Sequence, residues 1–173
     1  MQTTLNKIRA HSPCAEGWEK LLKHLCKTKA DDEPLLITTI LDSNGLDDAL
    51  WCMKAVDGRD KEIRLYAVWC ARQVQHLIKD PRSLVALDVA ERFANGEATV
   101  EELAAARNAA PGAALGVALG AAWGAAWWAA WGAARSAARD AVSDTARDAA
   151  FGVTWAAQAD YLRVVCAEIE RGV

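Results

Sequence analysis

Between Ala113 and Ala134 the chain reads AALGVALGAAWGAAWWAAWGAA, 22 residues drawn only from Ala, Gly, Trp, Leu and Val. Gly112, Gly116, Gly120 and Gly124 recur at every fourth position, and beside them run Leu115, Leu119, Trp123, Trp127 and Trp131. On an α-helix, residues four apart stack one turn above another, so the two series form adjacent ridges, one flat and one bulky. A flat ridge lets a second backbone approach closely, and stacked indoles fill the space alongside. The stretch therefore predicts a helix held by another helix.

No charge occurs from Asn108 to Ala134, and that length passes the ~20-residue test for a membrane span. The composition argues against insertion. Ala and Gly contribute little transfer energy, and Trp prefers the bilayer interface, yet four indoles crowd into positions 123–131. The glycine spacing does resemble a membrane dimer motif. A buried helix in a water-soluble body is nonetheless the expectation, and a membrane is not expected as a partner.

Upstream, turn formers divide the chain into short amphipathic segments. Thr4 to His11 predicts a first helix, with Ser12 as the cap of the next and Pro13 at its first position. That second helix places Trp18, Leu21, Leu22 and Leu25 on one face. Leu35 to Leu41 is β-branched enough to be a strand, but no second strand is evident to pair with it, so helix is expected. Asp42-Ser-Asn-Gly45 is a strong stop. Helices follow over Leu46 to Val56, from Lys61 to Lys79, and from Asp80-Pro81 to Asn95-Gly96. Thr99-Val-Glu-Glu102 is a capping box opening a helix to Ala110. Beyond Gly112 no proline appears. Some 60 unbroken helical residues would span roughly 90 Å, against a radius of gyration near ~16 Å for a compact domain of this length. A break is expected near Gly132 to Ser136 or around Ser143-Asp144. The last segment carries Phe151, Trp155, Leu162, Cys166 and Ile169 on one face.

The predicted architecture is all-α: a multi-helix bundle of short amphipathic helices with a long Ala/Gly/Trp-rich C-terminal helical region. Residues 1–110 form an N-terminal region of about six short helices, and residues 111–173 pack on it as one globular unit. A chain of 173 residues is long enough for a sizeable core. Its net charge of -3 argues against a generally basic nucleic-acid binder. Met1 to Ser12 is polar and lacks the apolar stretch of an export signal. The five cysteines, odd in number and irregular in spacing, are therefore expected to be reduced thiols in a cytoplasm.

Three runs carry a family resemblance: Leu41-Asp-Ser-Asn-Gly-Leu-Asp-Asp-Ala-Leu-Trp-Cys52, Arg64-Leu-Tyr-Ala-Val-Trp-Cys-Ala-Arg72, and Ala90-Glu-Arg-Phe-Ala-Asn-Gly-Glu-Ala-Thr99. With the Ala-rich, Trp-punctuated C-terminal half, they resemble the Imm-5-like group of immunity proteins of bacteria and phages. The resemblance covers Thr4 to Arg107, and the remainder in composition. It implies a cytosolic protein that neutralises a toxin by binding it, and it brings no catalytic residues. Gly and Trp stand in the C-terminal half where Arg and Asp are common in that group.

The chemistry-bearing residues favour binding over catalysis. His11, Cys14, His24 and Cys26 are metal-ligand types, but their spacing is not a standard zinc pattern, and His24 and Cys26 diverge by about 200° on one helix. Cys70 and His76 lie six apart with no third group to orient them. No phosphate loop or nucleophile elbow is present. No catalytic residue, metal or cofactor is therefore expected.

Asp47, Asp48, Trp51, Arg59, Arg64, Trp69 and Arg72 form the densest stretch of chemistry. Two readings stand: an internal network in which Arg64 or Arg72 pairs across to helix-N-terminal Asp47 and Asp48, or a partner-binding surface, since Trp and Arg dominate interface energetics. The ridge of Gly116, Gly120, Gly124, Trp123, Trp127 and Trp131 is either core or an oligomer interface; a nucleic-acid stacking platform would need cations, which the segment lacks. The expected function is a non-catalytic protein-binding module, immunity or anti-defence, acting by occluding a partner. The alternative is a self-associating scaffold assembled through the Gly/Ala/Trp helix.

Replacing both Gly120 and Gly124 with Leu is expected to overpack a close helix contact, at ~1–3 kcal/mol per site. Circular dichroism and solution mass check this. Loss of helicity or of assembled mass is the expected outcome, whereas an unchanged fold and mass would remove the ridge as a contact.

Overall fold

A computed structural model describes residues 1–73, 75, 80–109 and 144–172. Among them the chain is overwhelmingly helical, an all-α protein with a single pair of two-residue strands. The Gly112–Trp131 ridge, the break expected near Gly132 to Ser136, and Ser143 of the break expected around Ser143-Asp144 lie outside the described residues, while Asp144 is the first residue of a described helix. So do Val74 and the 76–79 end of the fifth predicted helix. Two compact units partition the chain: residues 1–59 with 161–173, and residues 60–160.

In the first unit, β1 (Gln2–Thr3) pairs antiparallel with β2 (Leu35–Leu36), Gln2 opposite Leu36 and Thr3 opposite Leu35. This corrects the expectation that Leu35 has no strand to pair with. The partner is two residues of an N-terminal stretch too short and polar to read as a strand, and Thr3 is fixed in it by donating its hydroxyl to the Ala55 carbonyl. Helix α1 (Leu5–Ala10) is capped by Thr4, whose Oγ1 accepts from Lys7 N at 3.2 Å. It buries Leu5 and Ile8.

Helix α2 (Ala15–His24) starts two residues later than the Ser-Pro pair suggests. Ser12 takes a left-handed φ of 55°, and Cys14 is the cap, its Sγ accepting from Gly17 N at 3.4 Å. The helix closes through Cys26 at φ 53°, with Lys27 N donating back to Leu22 O at 2.9 Å. That six-to-one bond across a left-handed residue is a Schellman ending.

Helix α3 (Ile37–Asn44) and helix α4 (Leu46–Cys52) meet at a single residue, Gly45, whose φ of 98° is open to glycine and costly for any residue with a Cβ. Ile37, Ile40 and Leu41 from α3 and Leu46, Ala49 and Leu50 from α4 are buried. A 3-10 turn over Met53–Ala55 extends α4. The predicted helix to Val56 is thus continued in tighter form, and Met53 is buried.

In the second unit, α5 (Asp60–Arg72), α6 (Pro81–Ala94) and α7 (Val100–Ala109) share a core of Val68, Ala71, Leu87, Ala90 and Leu103, with Val89 and Phe93 against it. Asp80 caps α6 by accepting from Arg82 N at 2.9 Å, with Pro81 at the first helical position. The capping box is present in both directions: Glu102 N donates to Thr99 Oγ1 at 3.1 Å, and Thr99 N to Glu102 Oε2 at 2.7 Å. Helix α8 (Asp144–Arg171) supplies Gln158, fully buried, whose backbone carbonyl accepts from the buried Tyr66 hydroxyl at 3.1 Å. Its residues from Tyr161 onward belong to the first unit, where Leu162, Val165 and Cys166 are buried and Arg163 meets Asp42 at 2.6 Å.

Helices α2 and α6 end alike. Glu97 N returns to Arg92 O at 2.8 Å across Gly96 at φ 78°, as Lys27 returns to Leu22 across Cys26. A left-handed non-glycine residue costs about 1–2 kcal/mol, and glycine loses about 0.4–1 kcal/mol of that through its freer unfolded chain. Cys26→Gly is therefore expected to stabilise the protein by roughly 0.5–1 kcal/mol. A higher denaturation midpoint with unchanged slope checks it, and an unchanged or lower midpoint contradicts it.

Candidate functional site

A concavity lies in the first unit, where α2 packs on the α3–α4 junction. Its floor follows from helical spacing. Gly17, Trp18 and Leu21 fall three, four and seven residues after the cap Cys14, on one face of α2, and Trp51 and Cys52 fall three and four after Asp48 on α4. Ile40 and Asn44 from α3, with Ile8 and Pro13, complete the walls. The cavity is about 180 Å³. Pockets for drug-sized ligands run from about 300 to 1,000 Å³, whereas an apolar cavity of about 150 Å³ holds one benzene ring. The site is the size of a single ring or side chain.

One polar cluster sits in this apolar lining. Asn44 Nδ2 donates to the Gly17 carbonyl at 2.8 Å and to Asp48 Oδ2 at 2.7 Å. Its Oδ1 accepts from Ser43 Oγ at 2.7 Å, which fixes the amide orientation. Asp48 comes so near the α2 backbone that a Cβ on Gly17 would lie 2.7 Å from Oδ2. Asp48 is the one charged residue in the lining; it is half-buried, and Asn44 is its hydrogen-bond partner among the described residues. It also stands in the first turn of α4, where the helix dipole favours a carboxylate. Lys20 reaches the Asn44 backbone carbonyl at 3.4 Å rather than the carboxylate.

Trp18 and Trp51 are half-buried walls. Lys54 places its ammonium 3.7 Å from the Trp51 ring centroid, and burial lowers the Lys54 pKa. Deeper in, burial pushes the Cys52 thiol up to about 12, with the Asp48 charge adding to it. A thiol so placed stays protonated at neutral pH and is a poor nucleophile. The same holds for Cys70 in the second unit, raised to about 12 chiefly by burial.

The candidate residues from the sequence divide between the two units. Asp47 is exposed on α4 and Arg59 half-buried at the end of the first unit, while Asp48 and Trp51 share the cavity. Arg64, Trp69 and Arg72 lie on α5, half-buried. Arg72 is held by α6: it donates to Asp88 and Glu91, and to Gln75 Oε1 at 3.0 Å. Arg64 stands 5.1 Å from the Phe93 ring centroid. The oligomer-ridge candidates Gly116, Gly120, Gly124, Trp123, Trp127 and Trp131 lie outside the described residues.

Sequence reasoning missed Gly17, Trp18 and Asn44 as site residues. A glycine inside an amphipathic helix, on the same face as Trp18 and Leu21, was the available signal, because a helix keeps such a residue at a cost in propensity when something must come close. Cys14 and Cys26 serve as the cap and the terminator of α2. Among the described residues no group of three or more potential ligands could hold a metal ion, and no helix is long and apolar enough to cross a membrane.

Gly17→Ala gains about 1 kcal/mol of helix propensity but sets a methyl against Asp48 and 3.1 Å from Cys14 Sγ, which costs ~1–3 kcal/mol. Net destabilisation is expected. Adding Asp48→Ala should recover part of it, with a coupling of at least about 0.5 kcal/mol in a double-mutant cycle by urea denaturation. Additive effects would show that the two residues do not press on each other. Neither a family model, nor a curated protein, nor a solved structure matches this chain.

Proposed function

We propose that this chain is a non-catalytic protein-binding module of the immunity or anti-defence kind, acting in the cytoplasm by occluding a toxin or defence factor. The observation that carries the reading is the cavity on α2, α3 and α4: apolar, ring-sized, and walled by the half-buried indoles of Trp18 and Trp51. Binding energy at protein interfaces concentrates where one anchor side chain fills such a pocket, and Trp is among the residue types that dominate it. The run Leu41 to Cys52, which resembles the Imm-5-like group, supplies Asn44, Asp48, Trp51 and Cys52 to that cavity. The elevated thiol pKa values of Cys52 and Cys70 also suit a packing role for both. A second reading, self-assembly, is favoured by the four-residue glycine spacing of the 112–124 segment.

A photo-crosslinking residue in place of Trp51 tests the proposal in the native host, with the exposed Ala157 as control position. One host protein is expected to be captured from position 51 and not from 157. It should inhibit growth when expressed alone and cease to do so beside the wild-type chain. Trp51→Ala should weaken their complex by about 2 kcal/mol or more, roughly thirty-fold in Kd. Capture of a second copy of the chain would favour self-assembly instead, and equal adducts from both positions would sink the binding site.

A further inference from the structure

The shape of the cavity sets the size of its occupant, and its electrostatics set the charge. Two independent features select the same sign. Asp48 is a half-buried carboxylate in an apolar lining, and no cation is bonded to it among the described residues. Trp18 and Trp51 line the same space, and an indole attracts a cation through its quadrupole more strongly than the other aromatic rings do, as Lys54 shows at 3.7 Å from the Trp51 centroid. An anion would meet repulsion from the first feature and no attraction from the second. A neutral apolar group would leave the carboxylate desolvated without compensation. We propose that the cavity is a binding site for an organic cation, an ammonium or guanidinium carried on a short apolar stem, with the stem between Trp18 and Trp51 and the charged head toward Asp48.

The two lysines nearby do not occupy that role. Lys54 is engaged with the Trp51 ring and is not part of the lining, and Lys20 is bonded to the Asn44 carbonyl. Asn44 uses its amide on one Asp48 oxygen, Oδ2, which leaves Oδ1 for the incoming head. At about 180 Å³ the space suits a stem of one ring or three to four methylenes. This deepens the binding reading and rests on it in one respect, that the cation is a Lys or Arg side chain of the partner protein.

The experiment uses the full chain and two probe sets. In the first, benzylammonium, benzyl alcohol and benzoate are titrated while the indole N–H resonances of the eight tryptophans are followed. Benzylammonium is expected to shift the Trp18 and Trp51 signals and to bind at least five-fold more tightly than benzyl alcohol, with benzoate weakest. In Asp48→Asn the advantage over benzyl alcohol should fall to near one. Should that variant fail to fold, salt gives the second readout in the wild type. The advantage should shrink between 20 and 500 mM KCl while benzyl alcohol binding is unchanged. Equal affinities for charged and neutral probes, a preference that survives Asp48→Asn or high salt, or no shift from any probe would overturn the inference.

The second set compares N-acetyl-Gly-Arg-Gly-amide with its Gln counterpart. Preference for the arginine peptide, lost in Asp48→Asn, supports a partner side chain. Selection of benzylammonium without selection of the peptide assigns the site to a free organic cation and overturns the partner clause. Failure of the probes leaves the crosslinked partner of the preceding section standing or falling on its own result.

Discussion

The first unit depends on one close approach. At Gly17 the backbone of α2 comes within hydrogen-bond distance of the Asn44 amide, and the Asp48 carboxylate packs where a side chain would otherwise stand. A residue of ordinary size at 17 would push α2 away from the α3–α4 junction. The junction is itself fixed by Gly45, since α3 and α4 could not turn within one residue without a left-handed backbone. Two glycines thus set where three helices meet, one by its absent side chain and one by its φ. The cavity is the space left beside that contact, lined by Trp18 and Trp51.

Much of the fold was legible because its signals are local. Thr99 and Glu102 need only the geometry of one helical turn to satisfy each other, and Asp80-Pro81 and Asn44-Gly45 act within two residues of themselves. The departures have physical reasons too. The β1–β2 pairing joins residues more than thirty positions apart through two residues on each side, so no periodicity announces it. Ser12 is the better cap by residue type, but it is held in a left-handed conformation, and the helix waits for Cys14. Cys26 stands where a glycine is customary, so the Schellman ending of α2 carried no compositional flag. The Gly/Trp ridge, which predicts a helix held by another helix, falls outside the residues the structure describes.

The site was half legible. Asp48 and Trp51 stand in one run with apolar neighbours, and helical spacing alone puts them on a common face. Gly17, Trp18 and Asn44 join them only through the packing of α2 on α3, which no single window of sequence contains. The basic candidates on α5 resolve differently. Arg72 lies across from two carboxylates one turn apart on α6, Asp88 and Glu91, and such a fork of charges holds a guanidinium against its own fold. Type and density of residues pointed to this stretch, but only tertiary partners separate a binding arginine from a structural one.

Preorganisation decides whether a small cavity of this kind can matter energetically. Association costs several kcal/mol in lost freedom, and each loose side chain that must be ordered adds ~0.5–1.5 kcal/mol. Here the walls are braced before anything enters. The Trp51 indole carries Lys54 on its ring, Asn44 is held at its amide nitrogen and its amide oxygen, and Asp48 is pinned by Asn44 and favoured by the α4 terminus. A fixed carboxylate beside apolar walls discriminates between ligands more sharply than a mobile one in water. A ring-sized space then contributes selectivity out of proportion to its area, since a group of the wrong charge must lose its hydration with no return.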